Sequence, residues 1–287
     1  MKKRYSILML TAAIGMACGA QGAVPFEVAE GLYNPDEPFT LGLSSPEGVE
    51  TFTIFAAADS TDHFSNGAVM TEFKGTLYCM WQSCADHEDS PDTWVAYSRS
   101  NDKGATWTAP EVLCKTLDNG YCTSGGWIAT RDTLVAFINI WPAEIEPTGG
   151  FTSYMLSTDG TTWTEPKDVT MADGSRMEGV IEQDMRMTRG GKMMTAAHFQ
   201  PGLHACPIYT YNPLGTDGWI KGEFKWSGGS KQSRELEPSL YEKANGNIVM
   251  IFRDQKNSFH KLASESKDGG ESWSEATLTA MPDARTK

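Results

Sequence analysis

The run Ser100-Asn101-Asp102-Lys103-Gly104-Ala105-Thr106-Trp107 returns later in the chain as Ser266-Lys267-Asp268-Gly269-Gly270-Glu271-Ser272-Trp273. Between the two lies a copy one residue shorter, Ser157-Thr158-Asp159-Gly160-Thr161-Thr162-Trp163, and a degenerate one, Thr216-Asp217-Gly218-Trp219. Their tryptophans are 56, 56 and 54 residues apart. The order of residue types within the motif has a physical basis. An Asp carboxylate can accept backbone N–H bonds inside a tight turn, the Gly supplies a positive φ, and the Trp folds back under the hairpin.

A second feature keeps the same phase. About 30 residues before each tryptophan stands a turn, at Lys74-Gly75, Arg131-Asp132, Gly190-Gly191 and Asn245-Gly246. Each is followed by a short apolar run: Thr76–Trp81, Thr133–Ile138, Lys192–Ala197 and Asn247–Phe252. Brief apolar segments opened by turn residues read as buried strands, and Asn-Gly is the favoured two-residue hairpin turn. A further strand, such as Trp94–Ser98 or Phe151–Met155, leads into the motif. No helical stripe of ten or more residues interrupts the pattern. A period of 40–55 residues holding four short strands is the signature of a propeller blade, so the expected fold is all-β, a β-propeller of four-stranded antiparallel blades. A single blade cannot cover both of its faces, and the repeated tryptophan supplies packing between neighbours.

Composition narrows the function. The 287 residues carry a net charge of −13, with 40% hydrophobic and 21% charged side chains. That excludes a disordered chain, and it argues against a nucleic-acid partner, which needs clustered Lys and Arg. Residues 1–23 open with Lys2, Lys3 and Arg4, continue through an apolar stretch and end in small residues, which reads as a signal peptide. The expected location is secreted or periplasmic, with lipid attachment at Cys18 as the alternative. No later segment is long enough for a membrane span. Removing the leader takes the charge to −16, so an anionic ligand needs local arginines against a repulsive field. Five cysteines remain, Cys79, Cys84, Cys114, Cys122 and Cys206, an odd number without a CxxC pair. They read as buried thiols, with room for one or two disulfides. Residues 24–60 are expected to add a strand or two, and 61–287 to form the propeller. Six blades need roughly 330 residues, so four to five blades of an incomplete propeller are expected.

The repeated motif resembles the Asp box of the sialidase (neuraminidase) superfamily, over about residues 60 to 281. The resemblance implies an exo-α-sialidase-type glycoside hydrolase acting on glycan termini without a cofactor. It implies an acid Asp before the third strand of the first box-bearing blade, three arginines for the substrate carboxylate, and a Tyr nucleophile activated by a Glu. Asp102, Asp159 and Asp268 are then structural. Glu237 and Arg253 match the Glu and Arg that face each other across a hairpin, with Arg253 as anion clamp. For the acid, Asp89 is the nearest match, with Asp92 and Asp86 as rivals in a loop whose four acids can raise one carboxyl by like-charge repulsion. Asp92 and His198 are further substrate-binding candidates. Other polar candidates are Glu178, Glu182, Asp184, Arg186 and His204. Zinc binding by His198, His204 and Cys206 fits no usual ligand spacing, so no metal is expected. Two departures stand out: Ser65 occupies the place of the first arginine, and the third arginine and the tyrosine belong to later blades. A non-catalytic propeller that binds glycan or protein, or a polysaccharide lyase relying on His and Tyr, are the competing readings.

The leader assignment predicts that protein made in a secreting host starts at Val24, which N-terminal sequencing reads directly. A product beginning at a lipid-modified Cys18 would favour the alternative.

Overall fold

The computed structural model describes residues 23–34, 36–37, 39–58, 61–145, 149–181, 185–227 and 233–283. Residues 1–22 of the leader, with Cys18, and the candidates Glu182 and Asp184 lie outside the described residues. What is described is all-β, in four antiparallel sheets that follow one another along the chain as propeller blades. The first blade contains β1 (Phe64–Phe73), β2 (Thr76–Cys84), β3 (Trp94–Ser100) and β4 (Glu111–Cys114). The second contains β5 (Gly120–Ala129), β6 (Leu134–Pro142), β7 (Phe151–Ser157) and β8 (Lys167–Asp168). In the third, two short segments, β9 (Gly179–Ile181) and β10 (Arg186–Met187), both pair with β11 (Met193–Phe199), followed by β12 (His204–Thr210) and β13 (Ile220–Lys221). The fourth contains β14 (Glu235–Glu242), β15 (Ile248–Asp254), β16 (His260–Ser266) and β17 (Thr277–Pro282).

The second strand of each blade is apolar nearly throughout because it is covered on both faces. Strand alternation divides its side chains between two interfaces. From β6, Leu134, Ala136 and Ile138 pack with Tyr78 and Met80 of the first blade. Val135 and Phe137 of the same strand face the third blade, where they meet Ile181, Ala197 and Trp219. Further along, Met194 and Ala196 of β11 pack with Ile248, Met250 and Phe252 of β15.

Each motif tryptophan lies on the side of its own blade that faces the preceding one. Trp163 joins the first interface, Trp219 the second and Trp273 the third. Trp107, in the first blade, joins a cluster of Cys79, Trp81 and Ala96 that is covered by Ile54 and Phe55. Phe55 stacks on Trp81 with ring centres 5.9 Å apart. The segment 24–60 therefore acts as a cover. The strand or two expected of it do not form among its described residues, where Gly31, Gly42 and Gly48 turn the chain at positive φ. All five cysteines downstream of the leader are free thiols, with no disulfide among them.

The Asp boxes form the bonds that their spacing implies. Asp102 accepts the Thr106 N–H at 2.8 Å, the Thr106 hydroxyl at 2.6 Å and the Ser100 hydroxyl at 2.8 Å. Asp159 accepts the N–H groups of Thr161 and Thr162 at 2.8 and 2.7 Å. The indoles of Trp107 and Trp273 donate back to the carbonyls of Gly104 and Gly270 at 2.9 and 3.0 Å, and both glycines have positive φ. Trp163 is held by rings instead: Tyr97 edge-on at 5.9 Å and Trp127 at 5.8 Å.

Trp219 is completely buried, so Trp219→Ala should lower the unfolding free energy measured in urea by roughly 3–5 kcal/mol. The Thr106 hydroxyl and amide hold the Asp102 carboxyl down at about 2. Partial burial pushes Asp268 up, but the Ser272 hydroxyl and amide outweigh it and bring it to about 2 as well. Carboxyls lowered in the folded state contribute stability that is complete above their ordinary value of about 4 and is lost as pH falls toward their folded value. The Asp102→Asn/Asp268→Asn double variant should therefore lose less stability than wild type between about pH 4 and 2, as read by unfolding curves at each pH.

Candidate active site

Counting seven residues beyond the second position of each hairpin turn brings the second strand to a polar side chain in every blade: Gln82, Asn139, His198 and Arg253. Their uses differ. Asn139 is 1% exposed and joins two blades, accepting the Ile181 N–H at 2.9 Å and donating to the Ile181 carbonyl at 2.6 Å. His198 is 3% exposed, with Nδ1 3.4 Å from the Leu203 carbonyl. A substrate contact, as the sequence leads one to expect of it, would have to reach a buried ring, because β11 continues through Phe199. His204, its neighbour across the hairpin, stacks on Trp226 at 3.9 Å. Among the described residues no group of three His, Cys, Asp or Glu side chains is placed to hold a metal. Gln82 and Arg253 remain to face the cleft.

That cleft consists of three cavities with shared walls. The central one, of about 210 Å³, is lined by Asn66, Gln82, Glu88, Asp89, Tyr121 and Glu237, among others. On one side Asn66, Glu88 and Glu237 also border a cavity of about 550 Å³ that contains Arg253 and His87. On the other, Asp89 and Tyr121 border a cavity of about 560 Å³ walled by Trp141 and Asp118.

Glu237 reaches the cleft through a β-bulge. The β14–β15 register shifts between Leu236 and Ser239, and Glu237 adopts φ 47°. The next residue, Pro238, has no N–H to give to the ladder, which is why a bulge suits this place. The irregular backbone aims Glu237 at Arg253, whose Nη1 donates to its Oε1 at 2.9 Å. Asp254 steadies the end of β15. It is completely buried and accepts from Arg234 Nε and Nη2 at 2.7 and 2.9 Å. Burial pushes the Asp254 carboxyl up, but Arg234 and the donors of Ser258 and Lys256 prevail and hold it far below the usual range. Among the described residues lining this side of the cleft Arg253 is the sole Arg or Lys. Ser65 is exposed and lines a different hollow, beside Thr53 and Phe55.

The loop of residues 85–93 carries Asp89. Its base is closed by Asp92, which accepts the Ala85 N–H at 2.9 Å, so Asp92 pins the loop and is not part of the cleft wall. Ser90 accepts from Thr93 through both N–H and hydroxyl, at 3.0 and 2.7 Å. Glu88 accepts the Asn66 amide at 2.7 Å. Asp89 is left exposed, and the Tyr121 hydroxyl donates to its Oδ1 at 3.3 Å. Burial, followed by the charges of Asp89 and Glu88, pushes the Tyr121 phenol well above its ordinary value, so it stays protonated.

Tyr121 and Trp141 escaped the sequence reading. They are direct cross-strand partners at one end of β5 and β6, with rings 5.9 Å apart and nearly parallel. The available signal was an aromatic residue at the start of an inner strand and another at the end of the next, beyond the apolar run that interface packing requires. Of the remaining candidates, Glu178 pairs with Arg176 at 2.8 Å, and Arg186 lies exposed in β10.

Comparison with curated proteins returns no match. Solved structures do resemble the chain. An intramolecular trans-sialidase from Ruminococcus gnavus superposes with a TM-score of 0.63 at 13% identity, covering 80% of this chain and 73% of that one. A Hadza microbial sialidase gives 0.60 at 16% identity, covering 78% of this chain and 48% of that one, so this chain spans about half of its length. A Dyadobacter fermentans protein of unknown function also gives 0.60 at 16%, with 76% and 70% covered. At such identities the likeness is one of fold. The profile of the family described as BNR repeat-like domain matches residues 75–287, which takes in all three well-formed Asp boxes and most of the four blades, and the chain belongs to that family.

Proposed function

We propose that this chain is an exported, sialidase-like glycoside hydrolase acting on the terminal sugar of a glycan. The observation that carries the reading is the central cavity, where Asp89 from the first blade and Glu237 from the fourth line one space together with Tyr121. Two carboxyl groups converging from separate elements can supply the acid and the base of glycosidic bond cleavage. Asp89 serves as the general acid that protonates the leaving oxygen. Tyr121, hydrogen-bonded to Asp89, is a positioning residue for that acid. Arg253 binds a substrate carboxylate, and doing so draws it away from Glu237, which is then free to act as the base that takes a proton from the water attacking the anomeric carbon as the bond to the leaving oxygen breaks. Sialidase-like neighbours support the sugar class, and the composition of residues 1–23 supports export.

A second reading, a glycan-binding propeller without catalysis, is favoured by the charge count at the site. Arg253 already has a carboxylate partner in Glu237, and Ser65 replaces the arginine that the superfamily pattern would supply. The lyase reading would draw on His87 and Tyr121, which line different parts of the same cleft. Hydrolysis of a fluorogenic sialoside separates the first two. Wild type should release the fluorophore, and Asp89→Asn should lower kcat by about 10²–10⁴-fold. Glu237→Gln should lower it as well. Sialoside binding without any release by wild type would install the second reading, and full activity in both variants would remove the assigned roles.

A further inference from the structure

Of the free thiols among the described residues, two stand together where the first blade passes into the second. The chain turns between β4 and β5 at a bridge of Leu117 with Gly120, which lays Cys114 at the end of one strand beside Cys122 near the start of the next. Both sulfurs converge on one oxygen. Cys122 Sγ donates to the Lys115 carbonyl at 3.2 Å, and Cys114 Sγ lies 3.6 Å from the same atom. Cys122 Sγ is also 3.7 Å from the Cys114 carbonyl. Their surroundings differ. Cys122 is completely buried, whereas Cys114 is half-buried and is followed by the exposed Lys115 and Thr116. Hydrogen bonding from the Cys122 thiol draws the Cys114 thiol below its ordinary value in spite of burial. Burial pushes Cys79 and Cys206 each up to about 11, and it raises Cys84 as well. A thiol that attacks a disulfide needs thiolate character and access, and among the described cysteines Cys114 has both.

We infer that Cys114 and Cys122 form a dithiol site that low-molecular-weight disulfides of the glutathione class oxidise to an intrachain bridge. The Cys114 thiolate attacks one sulfur of oxidised glutathione, the S–S bond of that molecule breaks, and one glutathione leaves as the thiol. Cys122 then gives its proton to water and attacks the Cys114 sulfur of the mixed disulfide, expelling the second glutathione, which takes up a proton. Two protein thiols are thereby oxidised, and one glutathione disulfide is reduced to two thiols. The order follows from access: the half-buried sulfur reacts first and the buried one resolves. In the reduced protein, hydrogen bonding to Cys114 and then burial hold Cys122 protonated, and capping Cys114 removes the first of these. The bridge would join the outer strand of the first blade to the inner strand of the second. It would also clamp the connector of residues 115–119, whose Thr116 hydroxyl donates to the Pro91 carbonyl at 2.8 Å and which leads directly to Tyr121. The site requires no hydrolase activity.

Oxidation of the folded full chain with oxidised glutathione, followed by blocking of the remaining thiols, trypsin digestion and mass spectrometry, tests this. Cleavage after Lys103, Lys115 and Arg131 puts Cys114 and Cys122 in separate peptides, 104–115 and 116–131, which only a disulfide joins. That linked pair should be the main product and should vanish on reduction. Cys122→Ser should stop at a glutathione adduct on Cys114, whereas Cys114→Ser should leave Cys122 a free thiol. The wild-type digest decides the matter even if neither variant folds. Amide exchange over residues 115–119 should slow about tenfold in the bridged protein. The site is refuted if both thiols are still free after oxidation, if the bridge joins Cys84 to Cys122, or if Cys114→Ser takes up glutathione at Cys122. Unchanged exchange over residues 115–119 would remove the clamp.

Discussion

Everything in this fold depends on the two-sidedness of a short, apolar sheet. The second strand of each blade alternates its side chains between two faces, and both must be removed from water. β6 shows the consequence most clearly, because its even-numbered residues meet the first blade and its odd-numbered residues the third. The motif tryptophan extends this arrangement, reaching from each blade toward the one before. For the first blade the same requirement is met by Ile54 and Phe55, which lie over Trp81 and Trp107 with no strand pairing at all. Apolar cover is what the exposed face demands, and regular backbone hydrogen bonding is not needed to provide it.

Once the interfaces are filled, the ends of the same strands are free to vary. The position seven residues past each turn illustrates how one structural place serves different ends. Asn139 ties two blades together through the backbone of Ile181, His198 is buried in β11, and Gln82 and Arg253 open onto the cleft. The difference lies in what surrounds each residue. Asn139 is short and finds an adjacent backbone to satisfy both ends of its amide, whereas Arg253 sits across from a bulge that delivers a carboxylate to it.

The electrostatics of the cleft follow from this placement. Among the described residues the Arg253 guanidinium, already matched by Glu237, shares its cavity with the Glu88 carboxylate in an acidic chain. An incoming anion must therefore compete for Arg253, while the Trp141 side of the cleft offers aromatic surface and oxygen acceptors. The cleft is polarised along its length, with the Arg253 guanidinium at one end and the Tyr121 and Trp141 rings at the other.

The sequence by itself determined the architecture. Blade phase, hairpin turns and central strands are local properties, written in the spacing of Asp, Gly and Trp and in apolar runs whose length and turn flanks mark them as strands. It also brought Glu237 and Arg253 to the same end of one hairpin, although the register sets Leu236 opposite Arg253 and a bulge turns Glu237 toward it. The rest of the site was decided only by the tertiary structure. Asp89 meets Tyr121, and both share a cavity with Glu237, through the rotation of one blade against another. Asp92 and His198 look equivalent to cleft residues in the sequence, yet one closes a loop and the other is buried in a sheet. The physical reason is common to these cases. Strand periodicity fixes which face a side chain takes, but whether that face meets water, a neighbouring blade or a cavity depends on residues distant in the chain.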